Sequence, residues 1–264
     1  MPGFEIIGKE EKKNINEIFD KSNGVFFAHG FDVLRNNIFR VRNFEKKIKQ
    51  KLNVKYCQVV SSGTAAIKIA LKSVGVKPGD EVITQSFNFI ATVEAIVDCG
   101  AKPIITNIDD SLNMCADDLR KKITKKTKAV IPVHMLGFSC NIEEIVKICK
   151  KKKIPVVEDN CEAVGAKFKK SFLGTIGDVG ILSFDHGKNI TTGEGGAILT
   201  NNKKIFNYAK EYHDHGHQLN PKFPRGMDTV KIQGFNHRMT ELQAAVGLAQ
   251  IKKLQFILNE NKKR

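Results

Sequence analysis

The sequence predicts an α/β protein built on a doubly wound, mainly parallel sheet flanked by helices. Three observations carry this expectation. Short apolar runs of strand length alternate with helical stretches between residues 56 and 159, the pattern of parallel strands joined by crossover helices. Polar residues with chemical potential follow those runs: Ser61 to Thr64, Asp159 and Ser183. In sheets of this kind ligands bind beyond the carboxyl ends of the strands, so these residues can share one edge. The chain also has 264 residues, 41% of them hydrophobic and 27% charged, enough for one large domain with a full core.

The elements are expected in the following order. A helix covers 9–19, and the segment from Gly24 to Gly30, with two adjacent phenylalanines, reads as an irregular loop that packs on something or lies on the surface. A short basic helix follows at 44–52 and a strand at 56–60. Ser61-Ser-Gly-Thr64 then opens a helix over 65–73 that Gly75 stops. Small residues at a helix start serve either as a plain cap or as an anion site, because free N–H groups and the positive end of the dipole point outward there. A strand at 81–84 leads through Phe89 to a helix at 93–98; an aromatic at such a junction can be core or can face a ligand. Strands at 102–105, 129–134 and 154–159 alternate with helices at 117–123 and 142–150. The last of these carries Glu143 and Glu144 in its first turn and lysines at its end, as the helix dipole favours.

Composition narrows the function. The net charge of +15 invites a nucleic-acid reading, but only seven of the 43 basic residues are arginine and the lysines are scattered. Runs such as Lys150 to Lys153 fall at helix ends, where they suit the dipole and solubility. Neither nucleic-acid nor membrane binding is expected: no apolar run approaches the roughly 18 residues of a membrane span. The N-terminus has no signal-peptide pattern, so a cytoplasmic protein is expected. Six cysteines without metal spacing read as reduced, packed thiols. His213, His215 and His217 alternate as zinc ligands could on an extended segment, but no fourth ligand accompanies them, and no metal is expected.

The stretch Gly177-Asp-Val-Gly-Ile-Leu-Ser-Phe-Asp-His-Gly-Lys-Asn-Ile-Thr-Thr-Gly-Glu-Gly-Gly196 organises the rest. An apolar run over 179–184 reads as a buried strand. A loop with one lysine, Lys188, follows, and Gly193, Gly195 and Gly196 lead into a second strand at 197–200. Glycines let backbone approach a ligand closely, and a lysine in a partly dry site can act as a nucleophile toward carbonyl carbon. The alternative is a solvated surface lysine.

Ser-Phe-x-x-x-Lys-x-Ile-Thr-Thr-Gly-Glu-Gly-Gly resembles the lysine loop of the DegT/DnrJ/EryC1/StrS sugar aminotransferases, and matching motifs run in the family's order from about Phe44 onward. The resemblance implies the large domain of the type I aminotransferase fold and pyridoxal phosphate (PLP) as cofactor. It implies that Lys188 attaches PLP and that Asp159 faces the pyridine nitrogen. Ser183 and the amides of Gly63 and Thr64 would hold the phosphate, joined by Asn236 of a neighbouring subunit, and Phe89 would cover the ring face. Glu162 falls beside the phenolic oxygen, where many relatives have Gln. Asn236 belongs to Gly234-Phe-Asn-His-Arg-Met239, similar to a family block in which His237 is usually Tyr. The implied reaction moves an amino group from an amino acid, glutamate, to a keto sugar. That substrate is nucleotide-linked or a keto-sugar acid, and the product enters amino-sugar and polysaccharide synthesis. Relatives that are sugar dehydratases replace the lysine by His, so Lys188 argues against that branch. A homodimer with a shared site is implied. So is an organisation of an N-terminal arm over 1–43 and a PLP-binding domain over 44–264, with the family's smaller C-terminal domain expected to be absent. A non-catalytic PLP-binding or regulatory scaffold is the alternative. Apolar residues at 242, 245, 246, 249, 251, 254 and 258 form a stripe expected to need cover from a second domain and a partner.

Overall fold

Side-chain caps and glycine turns set where the helices begin and end. The computed structural model describes residues 1–220, 222, 223 and 227–263. In chain order it contains α1 (Lys9–Ser22), α2 (Arg40–Leu52), β1 (Tyr56–Val60), α3 (Gly63–Ser73), β2 (Glu81–Gln85), α4 (Ile90–Asp98), β3 (Lys102–Thr106), α5 (Ala116–Lys122) and β4 (Thr127–Ile131). There follow α6 (Ile142–Lys152), β5 (Val157–Asp159), β6 (Lys167–Phe168), β7 (Ser171–Phe172), β8 (Val179–Ser183), β9 (Gly196–Thr200), α7 (Lys203–Tyr212) and α8 (Glu241–Asn261). Ser62, Asn141, Asn202 and Thr240 cap α3, α6, α7 and α8 by accepting from free first-turn amides.

The strands form two ladders, β1-β9-β8-β5 and β3-β2-β4. Bridges Val130–Val156 and Val133–Asp159 join them, giving the order β1-β9-β8-β5-β4-β2-β3. Every adjacent pair is parallel except the two that involve β9, which runs antiparallel to β1 and to β8. The reversal goes with the connection: the lysine loop returns the chain from β8 to β9 without the crossover helix that usually joins parallel strands. The expected strand over 129–134 is interrupted at Pro132, which has no N–H for the ladder. Its carbonyl instead accepts from Asp159 N at 2.9 Å, and His134 N donates to Asp159 O at 3.0 Å. These bonds fix Asp159 at the carboxyl end of β5.

One core cluster lies between the sheet and α3, α4 and α7, and another under α2 and α8 with Phe44, Ile48, Phe184, Leu254 and Ile257. Here the structure corrects the expectation for the α8 stripe. Ala245, Ala249, Ile251 and Leu254 are buried, and Leu242, Val246 and Leu258 are half-buried, because α1 and α2 pack along α8. Gly247 lets Phe44 reach the α8 backbone: a Cβ there would lie 2.5 Å from Phe44 Cζ. The N-terminal region is tied to the same helix. Buried Glu241 accepts from Arg40 N at 2.6 Å and Val41 N at 3.1 Å and pairs with Arg35 at 2.8 Å. Most of this face is therefore covered from within the chain.

The three alternate histidines face different partners. Buried His213 donates from Nδ1 to Lys210 O at 2.6 Å, and its Nε2 accepts from Gln58 at 3.2 Å. His217 pairs with Asp228 at 3.1 Å, and His215 sits in the left-handed region with φ 56°. Burial pushes the His213 pKa down from 6.5 to about 4. Above pH 6.5 the ring is neutral folded and unfolded. As pH falls from 6.5 to 4 this ring gains its proton only in the unfolded chain, so the contribution of His213 to stability drops through this window, by roughly 3 kcal/mol in total. Burial also pushes the Glu45 carboxyl up from 4.5 to about 7, which acts in the opposite direction as pH falls, so the readout is a difference: in denaturant titrations from pH 8 to pH 4 wild type is expected to lose roughly 3 kcal/mol relative to His213→Gln.

Candidate active site

Five strand ends open on one cavity of about 440 Å³. Ser62, Gly63 and Thr64 follow β1. Phe89, Ala91 and Thr92 enter α4 after β2. Val133 and Met135 follow β4. Asp159, Cys161 and Glu162 lie at and after β5, and Ser183, Asp185, Lys188 and Glu194 at and after β8. All these segments leave the sheet at the carboxyl ends of parallel strands or, for β1, beside them, which is why residues far apart in sequence meet here.

The first wall is an anion cradle. Ser62 Oγ takes the Ala65 amide at 3.1 Å, and Ser62 O takes Ala66 N at 3.1 Å. The Gly63 and Thr64 amides are the first two of α3, which lack an intrahelical acceptor, and they sit at the positive end of the helix dipole. The packing demands glycine. A Cβ on Gly63 would lie 2.9 Å from Ser183 Cβ and 3.3 Å from Cys161 Sγ, filling the space between α3 and β8. A Cβ on Gly196 would lie 2.3 Å from Ser62 O and 2.8 Å from Gly63 N. Gly196→Ala must move β9 or the α3 start, and about 3 kcal/mol of stability should be lost. Thermal unfolding would register this as a clear fall in Tm.

The second wall is Asp159, 3% exposed. Its Oδ2 accepts from Thr92 Oγ1 at 2.8 Å and its Oδ1 from Cys161 N at 3.1 Å. Burial and the Asp159 carboxylate hold the Cys161 thiol well above its ordinary range, so it is a neutral packing group and not a nucleophile.

The third element is Lys188. The turn that carries it is closed by Lys188 N donating to Asp185 O at 3.1 Å and Gly187 N donating to Asp185 Oδ1 at 3.1 Å. Its ammonium lies 3.6 Å from Glu162 Oε1, and Glu162 Oε2 accepts from Leu136 N at 3.1 Å. The Glu162 carboxylate is thus paired with the lysine. Lys188 is the one cationic side chain among the described residues that line the cavity; Asp159, Glu162, Asp185 and Glu194 are acidic. Phe89 is 67% exposed at the cavity edge, so it is not a core residue.

The sequence profile of the DegT/DnrJ/EryC1/StrS aminotransferase family matches residues 31–264. The chain belongs to that family. It is 37% identical over 223 residues to a GDP-perosamine synthase of Escherichia coli O157:H7, covering 84% of this chain and 60% of that protein. Among solved structures it resembles Helicobacter pylori PseC, an aminotransferase involved in the biosynthesis of pseudoaminic acid. The TM-score is 0.85 at 29% identity, over 95% of this chain and 64% of that one. It also resembles E. coli GDP-4-keto-6-deoxy-D-mannose-3-dehydratase with bound hydrated PLP. There the TM-score is 0.84 at 27% identity, over 95% of this chain and 66% of that one. The chain thus spans less than two thirds of the length of the curated relative.

For this DegT/DnrJ/EryC1/StrS member the fold brings together Gly63, Thr64, Phe89, Asp159, Glu162, Ser183 and Lys188. It leaves Asn236 out: that residue is exposed, bridged to Asp214, and does not line the cavity of its own chain. His237 beside it ties the two regions together, its carbonyl accepting from Ser61 N at 2.9 Å. Sequence reasoning missed Thr92, Cys161, Asp185 and Glu194. Thr92 had a readable signal, a lone hydroxyl on the first turn of a helix that follows a strand end.

Proposed function

We propose that this chain is the cofactor-binding part of a PLP-dependent sugar aminotransferase. The observation that carries the reading is the meeting of Lys188, buried Asp159 and the Gly63–Thr64 cradle in one cavity. These residues fit PLP group by group. The amides of Gly63 and Thr64, with Ser183, would hold its phosphate, Asp159 its pyridine nitrogen, Phe89 its ring face and Lys188 its carbonyl carbon. PLP when bound supplies an electron sink for a substrate carbanion. Asp159 keeps the ring nitrogen protonated, and Thr92 and the Cys161 amide hold the carboxylate in place. Lys188 Nζ, when free, would carry the proton to and from the substrate carbon as base and acid. Glu162 takes up the ammonium charge while that amine is protonated.

The substrates are an amino acid, glutamate, and a keto sugar, nucleotide-linked or a keto-sugar acid. The working unit is a homodimer in which Asn236 reaches the neighbour's phosphate. The products serve amino-sugar and polysaccharide synthesis in the cytoplasm; among the described residues no helix is long and apolar enough to cross a membrane. The test is two-stage. Glutamate added to the PLP-loaded protein is expected to abolish the visible band of the lysine-bound cofactor, and a keto sugar from a panel is expected to restore it. A band that no amino acid removes would leave a non-catalytic PLP-binding scaffold instead.

A further inference from the structure

The backbone of the lysine loop is held from outside by the first residues of the chain. Gly3 N donates to Lys188 O at 2.8 Å. The Phe4 ring stacks on His186, two residues before Lys188, with centroids 4.6 Å apart and planes 15° apart. Gly3 sits too close to the loop for any side chain: a Cβ would lie 2.4 Å from Gln250 Oε1, 2.8 Å from Asn189 O and 3.0 Å from Ile190 Cα. The same Gln250 Oε1 accepts from Thr191 N at 3.4 Å, and its Nε2 donates to Glu11 Oε1 at 2.9 Å. Lys253 bonds Glu11 at 2.7 Å and Ile6 O at 2.9 Å. The segment before α1 is therefore anchored on α8 at one end and on the lysine loop at the other.

We propose that Gly3 and Phe4 form a positioning clamp for Lys188. The inference rests on the reading of Lys188 as the cofactor lysine. That lysine must leave the cofactor and return as a proton carrier, so Nζ travels while its backbone has to stay fixed. Within the loop, only the Asp185 turn holds the amide side of Lys188. The Gly3 N–H holds the carbonyl side, and Phe4 covers the turn through His186. Releasing the clamp frees the anchor of the reacting amine, and misplacement by about 1 Å can cost on the order of 10²-fold in rate. Neither residue lines the cavity, so neither is catalytic.

Hydrogen exchange on the chain without cofactor reads the clamp directly. Phe4→Ala is expected to speed exchange of the amides at 185–192 by about tenfold, with α3 and β5 unchanged. In the PLP-loaded protein the same variant should lower the first-order rate of amino-donor conversion by about tenfold at unchanged half-saturation. Phe4→Trp, which keeps a stacking face, should restore both. Gly3→Ala attacks the clamp by overlap with Gln250 and should reproduce the loosening. Loop exchange at wild-type rates in both Phe4→Ala and Gly3→Ala, or no recovery in Phe4→Trp, would overturn the clamp. If loop exchange responds as expected but borohydride reduction labels a different lysine, the restraint on the loop stands, and what fails is the proposed function and with it the clamp's role in positioning a cofactor lysine.

Discussion

Lys188→Ala is expected to abolish covalent attachment of PLP and to leave the fold intact. The backbone bonds that shape the loop, Lys188 N to Asp185 O and Gly3 N to Lys188 O, do not use the side chain and survive the change. The ion pair to Glu162, 3.6 Å long between side chains that are 22% and 24% exposed, contributes at most about 1 kcal/mol. Thermal stability should therefore move by only a few degrees, while the visible band of the lysine-bound cofactor disappears. PLP can still dock through its phosphate in the α3 cradle, so equilibrium dialysis should detect weak, non-covalent binding. A retained band in Lys188→Ala would mean that another lysine attaches the cofactor.

The second large effect is expected at Asp159. Asp159→Asn keeps the shape and most of the hydrogen bonds. The amide oxygen can still accept from Cys161 N, and the amide NH₂ can donate to a Thr92 hydroxyl that has turned round. What is lost is the negative charge that, on the proposed function, would hold a proton on the facing ring nitrogen. PLP should still attach to Lys188, and amino-donor conversion should fall by about 10²–10³-fold, the size of loss when one preorganised electrostatic partner is removed from a dry site. Stopped-flow absorbance on the loaded variant checks this. Near-normal rates would make Asp159 a structural carboxylate that only ties α4 to β5.

How much of this was legible in the sequence depended on the kind of signal. The alternation of apolar runs and helical stretches gave the α/β sheet, and the positions of Asp159, Ser183 and Gly63 after strands placed them on one edge, where the cavity lies. The antiparallel β9 was implicit in the absence of a helix between β8 and β9 but left no mark in residue pattern. The α7 helix was readable and was missed: Asn202 caps it, and Ile205, Ala209 and Tyr212 recur at helical spacing on its buried face. The β6–β7 hairpin had no periodicity to read, since each strand has two residues and the turn depends on Lys169 in the left-handed region at φ 54°. The cover of α8 could not be read either, because periodicity shows that a stripe needs a partner and not which one; α1 and α2 supply it. Thr92 meets Asp159 through the sheet register, a pairing its own local signal could not specify, whereas Cys161 N reaches Asp159 Oδ1 from only two residues away, a local turn contact.

The most direct measurement is borohydride reduction of the PLP-loaded protein followed by peptide mapping. The geometry predicts one pyridoxyl group, on the peptide that contains Lys188, in wild type and in Asp159→Asn alike. A pyridoxyl group on any other lysine, or none on Lys188, would contradict the assignment of this cavity as the cofactor site.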